Sequence, residues 1–274
     1  MRLVFTLLCL LVWLPGFAHA SGDNITLAGM RVSVWQPATS GKAPVIIFSH
    51  GFHGCSTQSP FLMQAFAEAG YIVFAPNHRD AVCNGGAASR SDRPQAPFGR
   101  PNLWDEKTYA DRRDDIRELI SALKQDRHFA GRIDWSRLGL CGHSLGGYTV
   151  LGLGGAIPSW KLPGVKAILA LAPYNLPLDH LESIAAPVMY QAGSRDRMIT
   201  PSLEGTKGAY ALSPAPKYFV EFNGANHFAW TAFGYVHPQI TTYSLAFMNH
   251  YLKGTDEPQL TQPMQGVSVL KHLP

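Results

Sequence analysis

The sequence predicts an α/β domain: a mostly parallel central sheet covered by helices on both faces. Two observations carry this reading. Short continuous apolar runs, of the kind buried on both sides of a sheet, alternate along the chain with segments of helical period. Of the 274 residues, 46% are hydrophobic and only 15% charged, which supplies a sizeable core and excludes a disordered or charge-driven chain. No linker-like stretch interrupts the body, so residues 21–274 are expected to form one domain.

Residues 1–20 have the make-up of a cleaved secretory signal. Arg2 gives a positive start, residues 3–14 form an apolar run, and Ala18-His19-Ala20 closes it with small residues. The run is broken by Pro15-Gly16 and falls short of the roughly 20 residues of a spanning helix. Cys9 lies inside the apolar run behind Leu8 and does not fit a lipid-attachment site. Cleavage after Ala20 is expected, with export to a secreted or periplasmic location and no stable membrane anchor.

The elements of the body follow in order. Residues 29–35 alternate and predict an antiparallel edge strand. Runs at 45–48, 71–74, 138–141, 167–171, 188–190 and 218–222 predict the parallel strands. A first helix is expected to start at Ser59-Pro60, with serine as cap and proline in the first turn, and to stop at Gly70. A second is expected to open near Asp105, with Ile116, Leu119, Ile120 and Leu123 as its buried stripe. A third follows the 138–141 strand over about 145–153, and a last one over about 239–252 ends against Gly254. Residues 81–103, rich in Gly, Pro, Ser and Arg, show neither period and read as a long loop.

The formal charge of +4 is mild and its Lys and Arg are scattered, which gives no footprint for nucleic acid. Beyond the leader the cysteines are Cys55, Cys83 and Cys141. Cys141 falls in an apolar strand and is expected to be a buried thiol. Cys55 and Cys83 each lie in a loop just after a predicted strand. If those strands are neighbours, the loops lie side by side and a Cys55–Cys83 bridge is reasonable; two unpaired thiols are the alternative.

The chemistry enters at Gly142-His143-Ser144-Leu145-Gly146, a G-x-S-x-G that directly follows a predicted strand and directly precedes a helical run. A serine on so sharp a turn is raised above the sheet edge, and the flanking positions must lack side chains for the chain to fold back. A hydroxyl is a weak nucleophile near neutral pH and needs a base, which needs an orienting carboxylate. Asp196 and His227 stand in loops after later strands, in that order, and are the candidates; Asp179 and His237 are the reserves. A tetrahedral oxyanion requires backbone donors fixed in advance, and the amides of Phe52 and Leu145 occupy the expected positions. His50, at a strand end, is expected to orient its loop. His50 and His53 lack a third ligand spaced to join them, so no metal and no cofactor are expected.

These residues resemble the α/β-hydrolase fold, and within it the dienelactone hydrolase-like group that includes platelet-activating-factor acetylhydrolases and cutinase-type polyester hydrolases. The resemblance covers roughly residues 34–252. It rests on Phe48-Ser49-His50-Gly51, Asn77-His78-Arg79-Asp80, Gly142-His143-Ser144-Leu145-Gly146-Gly147 and Glu221-Phe222-Asn223-Gly224-Ala225-Asn226-His227-Phe228, with Ala172-Pro173-Tyr174. It implies a serine hydrolase that cleaves small-molecule or polymeric carboxylic esters through Ser144, His227 and Asp196 by way of an acyl-enzyme. A monomer is expected. A polyester hydrolase and a non-catalytic binding module of the same fold are the alternatives. Phe52, His143, Tyr174 and Trp230 are candidates to line an apolar pocket. Arg79, Arg90, Arg93 and Arg100 in or beside the long loop are candidates for an anion site, against plain pairing with Asp92 and Asp105.

Overall fold

The computed structural model of the chain describes residues 22–85 and 100–274. The leader at 1–20 with its cleavage point, Cys9, Arg90, Asp92 and Arg93 lie outside the described residues. Among the described residues one sheet holds nine strands: β1 (Asp23–Leu27), β2 (Met30–Trp35), β3 (Ala43–Ser49), β4 (Ile72–Pro76), β5 (Ile133–His143), β6 (Val165–Leu171), β7 (Val188–Gly193), β8 (Lys217–Phe222) and β9 (Val267–Leu273). Their order is β1-β2-β4-β3-β5-β6-β7-β8-β9. The pairings from β4 across to β8 are parallel, while β1, β2 and β9 join antiparallel. The principal helices are α1 (Pro60–Glu68), α2 (Ala110–Gln125), α3 (Leu145–Leu151) and α4 (His237–Lys253). A mostly parallel sheet with helices on both faces is the architecture of the α/β-hydrolase fold.

Register explains how both faces are covered. Phe74, Ile47, Leu140 and Ile168 sit side by side across four strands and so share one face. There Phe74 meets Phe129 just past α2, edge to face with centroids 5.0 Å apart, and Ile168 lies against Gly154 beyond α3. Gly139 points to the other face, where Met248 and Leu252 of α4 close over it, and α4 in turn packs against α1. The strands β3, β4 and β7 are buried along their whole length, which is why they read as unbroken apolar runs.

The differences from expectation lie at edges and helix starts. β2 is not the edge strand, because β1 pairs outside it, and β9 closes the opposite edge against β8. Both outer strands are partly exposed and carry mixed polar sequence, so they show no apolar run. β5 begins at Ile133, five residues ahead of its apolar part, through a polar segment that pairs only at Ala43 and Pro44 before a register shift. α2 opens at Ala110 rather than near Asp105, because the Asp105 carboxylate accepts the amides of Lys107 and Thr108 and closes a separate turn. Ser59 occupies the position before α1, but its hydroxyl donates to the carbonyl of Trp230 at 2.6 Å instead of capping the helix. α3 ends at Leu151 and passes into a π-helical turn, Gly152–Ala156. α4 ends on Gly254, which takes the left-handed conformation favoured for glycine after a helix.

Cys55 and Cys83 form a disulfide that ties the loop after β3 to the loop after β4. Cys141 is a free, buried thiol, and burial pushes its titration well up. No helix among the described residues is long and apolar enough to cross a membrane.

Candidate active site

Strand β5 runs into Ser144, which is held at φ 55° and ψ −118°, a positive φ that is rare for a residue with a side chain. The turn tolerates this because its neighbours lack side chains. A Cβ on Gly142 would lie 2.2 Å from the Gly146 carbonyl oxygen, and one on Gly146 only 1.9 Å from the carbonyl oxygen of Ser49. The Ser144 amide donates to Leu171 O, and its carbonyl accepts from the amides of Tyr148 and Tyr174, so the strained residue is fixed from both sides.

Two loops at the carboxyl ends of β7 and β8 bring the other predicted residues to it. Asp196 is buried; its Oδ1 accepts the amide of Ile199 and its Oδ2 lies 2.6 Å from Nδ1 of His227. A carboxylate only accepts, so Nδ1 of His227 carries the proton and Nε2 is left to accept. Nε2 lies 2.9 Å from the hydroxyl oxygen of Ser144. Hydroxyl, imidazole and carboxylate are thus in hydrogen-bonded series, with Ser144 and His227 on the wall of a cavity of about 360 Å³ also lined by Gly51, Phe52, Gln58 and Phe228, and Asp196 buried behind them.

A second chain of hydrogen bonds runs under this series. The Gly51 amide donates to Gln58 Oε1 at 2.8 Å, and Gln58 Nε2 donates to His143 Nδ1 at 2.9 Å. The other ring nitrogen of His143 donates to the carbonyl of His227 at 2.8 Å. Burial, and secondarily the nearby His227, push the titration of His143 down to about 3, so the ring is a neutral bridge between three loops.

Phe52 lines the cavity, and Leu145 is the first residue of α3, where helix geometry gives its amide no intrahelical acceptor. His143 lines the cavity floor and is nearly buried. Two expected pocket residues lie elsewhere. Trp230 is fully buried beneath His143, ring centroids 6.0 Å apart, with its indole N–H donated to Gln191 Oε1 and its carbonyl held by Ser59; these partners draw the ring inward. Tyr174 stands outside the cavity lining, its ring 5.2 Å from that of Trp104. Of the reserves, Asp179 lines a separate cavity with Trp104 and Tyr148, and His237 stacks on Phe61 at 3.5 Å with its Nε2 on Thr231 O. His50 orients its loop, accepting the His78 amide at Nε2 and donating from Nδ1 to Gly51 O. Arg79 lies 3.6 Å from Asp115.

Sequence reasoning missed Gln58 and Arg112. Arg112 is four residues before Ile116 and therefore on the apolar stripe of α2, where a charged residue signals a buried partner. Gln58 gave no signal beyond its place ahead of α1.

The family model described as PET hydrolase-like matches residues 108–260, and that for platelet-activating factor acetylhydrolase, isoform II, matches residues 22–97. The chain is similar to Cutinase est2 of Thermobifida alba, 24% identical over 227 residues that cover 80% of this chain and 63% of the cutinase. It is similar to the bis(hydroxyethyl) terephthalate hydrolase of Streptomyces coelicolor, 28% identical over 241 residues covering 86% of this chain and 66% of that protein. A putative phospholipase A2 of Schizosaccharomyces pombe is 39% identical over 64 residues, 23% of this chain and 15% of that protein. The chain thus spans just under two thirds of the length of these cutinase and terephthalate-ester relatives. With over half of its length matched by one family model, the chain belongs to the PET hydrolase-like family.

Proposed function

We propose that this protein is an exported serine hydrolase that cleaves carboxylic esters through Ser144, His227 and Asp196 and an acyl-enzyme intermediate. The carrying observation is the unbroken series Ser144 Oγ, His227 Nε2 at 2.9 Å, His227 Nδ1 and Asp196 Oδ2 at 2.6 Å, set on a strained turn at a cavity floor. His227 takes the hydroxyl proton as Ser144 attacks the ester carbonyl, then delivers it to the leaving alcohol. Asp196 holds the imidazole tautomer and stabilises its cationic form. The amides of Phe52 and Leu145 receive the developing oxyanion, and water repeats the cycle on the acyl-serine. The names of the relatives support an ester substrate, and the leader-like residues 1–20 support export with cleavage after Ala20.

The test is release of p-nitrophenol from short-chain esters by the protein and by its Ser144→Ala variant. Activity should fall by about 10³-fold or more in the variant, and an organophosphonate should label Ser144. Equal rates would remove the hydrolase reading and leave a binding module of this fold.

A second reading, that polymeric esters are accepted, is favoured by the surface. Phe228 on the cavity wall is 66% exposed and Phe233, five residues on, is 94% exposed. A large exposed ring on the cavity wall, with a second five residues away in sequence, suits contact with an apolar solid.

A further inference from the structure

Asn77-His78-Arg79-Asp80 plays no part in the chemistry proposed above, yet each of its polar side chains is committed. Asn77 Oδ1 accepts the Ser56 amide at 2.7 Å. His78 meets Ser49 Oγ through Nε2 at 2.9 Å and Asp115 Oδ2 through Nδ1 at 3.0 Å. This repeats the hydroxyl, imidazole, carboxylate order of the Ser144 site. Ser49, His78 and Asp115 are however 0%, 0% and 1% exposed, so no substrate meets them, and their role is to build the support under the loop after β3. Asp80 completes that support: its Oδ2 accepts the His53 amide at 3.2 Å and Arg112 Nη2 at 2.6 Å.

Arg112 is the centre of this support. Fully buried, it donates from Nη1 to the His50 carbonyl at 2.7 Å and from Nη2 to the Gly51 carbonyl at 3.0 Å. The Gly51 carbonyl also accepts from His50 Nδ1 at 2.7 Å and from the Gly54 amide at 2.9 Å. A trans peptide is planar, with C=O and N–H on opposite edges. A Gly51 carbonyl drawn toward Arg112 therefore turns the Phe52 N–H the other way. The cavity containing Ser144 is lined by Gly51 and Phe52 and not by Arg112.

We propose that Arg112, neutralised by Asp80, is a positioning residue that sets the direction of the Phe52 amide for the oxyanion. The proposal rests on the reading of Ser144 as nucleophile and concerns a group that never touches substrate. A guanidinium suits the task because its planar fork spans two successive carbonyls and a carboxylate at once, which an ammonium does not.

The experiment compares Arg112→Lys with wild type on p-nitrophenyl acetate and on a phenylboronic acid, whose tetrahedral serine adduct places an oxygen among the same amides. Loss of one oxyanion donor costs about 10²–10³-fold in kcat, and a misdirected donor should cost about 10- to 100-fold. The loss should appear in kcat at unchanged KM, leave the acid limb of the pH–rate profile unmoved, and be matched by the loss of boronate affinity. The Arg112→Gln/Asp80→Asn pair, which removes both charges together and so strands neither, should behave alike. In the wild-type protein, boronate should move the Phe52 amide resonance further downfield than those of Gly51 and His53, which Gln58 and Asp80 already hold. A folded variant with wild-type kcat, a loss confined to KM, a shifted acid limb, or a Phe52 resonance that boronate leaves in place would overturn the proposal. Failure of the underlying reading is separate and would show in advance, as equal hydrolysis by wild type and Ser144→Ala.

Discussion

At the scale of single residues, His143 ties the candidate site to stability. It is an imidazole with both nitrogens used, one accepting from Gln58 and one donating to the His227 carbonyl, and its folded-state titration is pushed from 6.5 down to about 3. His50 is shifted in the same direction, by burial first and by the charge of Arg112 second. The folded chain refuses protons that the unfolded chain takes up below about pH 6.5, so stability is intact above that value and is lost as pH falls toward 3. His143 contributes about 1.4 kcal/mol per pH unit in that window. Urea unfolding at pH 7 and 4.5 checks this: His143→Gln should lose about 2–3 kcal/mol less than wild type between the two. An equal loss in both would show that His143 takes a proton while folded. Ser144, Asp196 and His227 were legible as candidates because each follows a predicted strand and they fall in the order serine, acid, histidine. Gln58 and Arg112 stayed hidden, since both act on backbone groups whose positions only the folded chain defines. Trp230 misled for a related reason: a loop position suggests exposure, while Gln191 and Ser59 pull its polar groups inward.

At the scale of elements, the closest backbone crossing in the site is that of α3 over β3. Gly146 in the first turn of α3 lies so near the Ser49 carbonyl that a methyl group would overlap it at 1.9 Å, and the obstacle is main chain that cannot rotate aside. Gly146→Ala should therefore destabilise by about 3 kcal/mol and separate Ser144 from the Phe52 loop. Thermal unfolding alongside phosphonate labelling checks both effects, and an unchanged melting temperature with full labelling would refute them. The buried strands and the main helices were readable because their patterns follow from burial on two faces or on one stripe. The strands β1 and β9 were not, since an edge strand with one neighbour carries no such pattern, and the start of α2 was displaced by the local turn at Asp105.

At the scale of the whole molecule, Ser144, Asp196 and His227 each follow the carboxyl end of a parallel strand, the edge where this class of fold places its ligands. Around that edge the surface turns apolar at Phe228 and Phe233. If polymer contact uses this rim, Phe233→Ser should leave hydrolysis of p-nitrophenyl acetate within about twofold and lower product release from a polyester film several-fold. Equal release from the film would confine the activity to dissolved esters. The burial of the Cys141 thiol bears on how the molecule is made. With the leader and its Cys9 removed, as proposed, Cys55, Cys83 and Cys141 permit three different single bridges, but Cys141 is sealed in the interior on the strand that leads into Ser144. Once that interior has closed, air oxidation has one pairing open to it, so refolded material should reach a uniform covalent form without a shuffling catalyst.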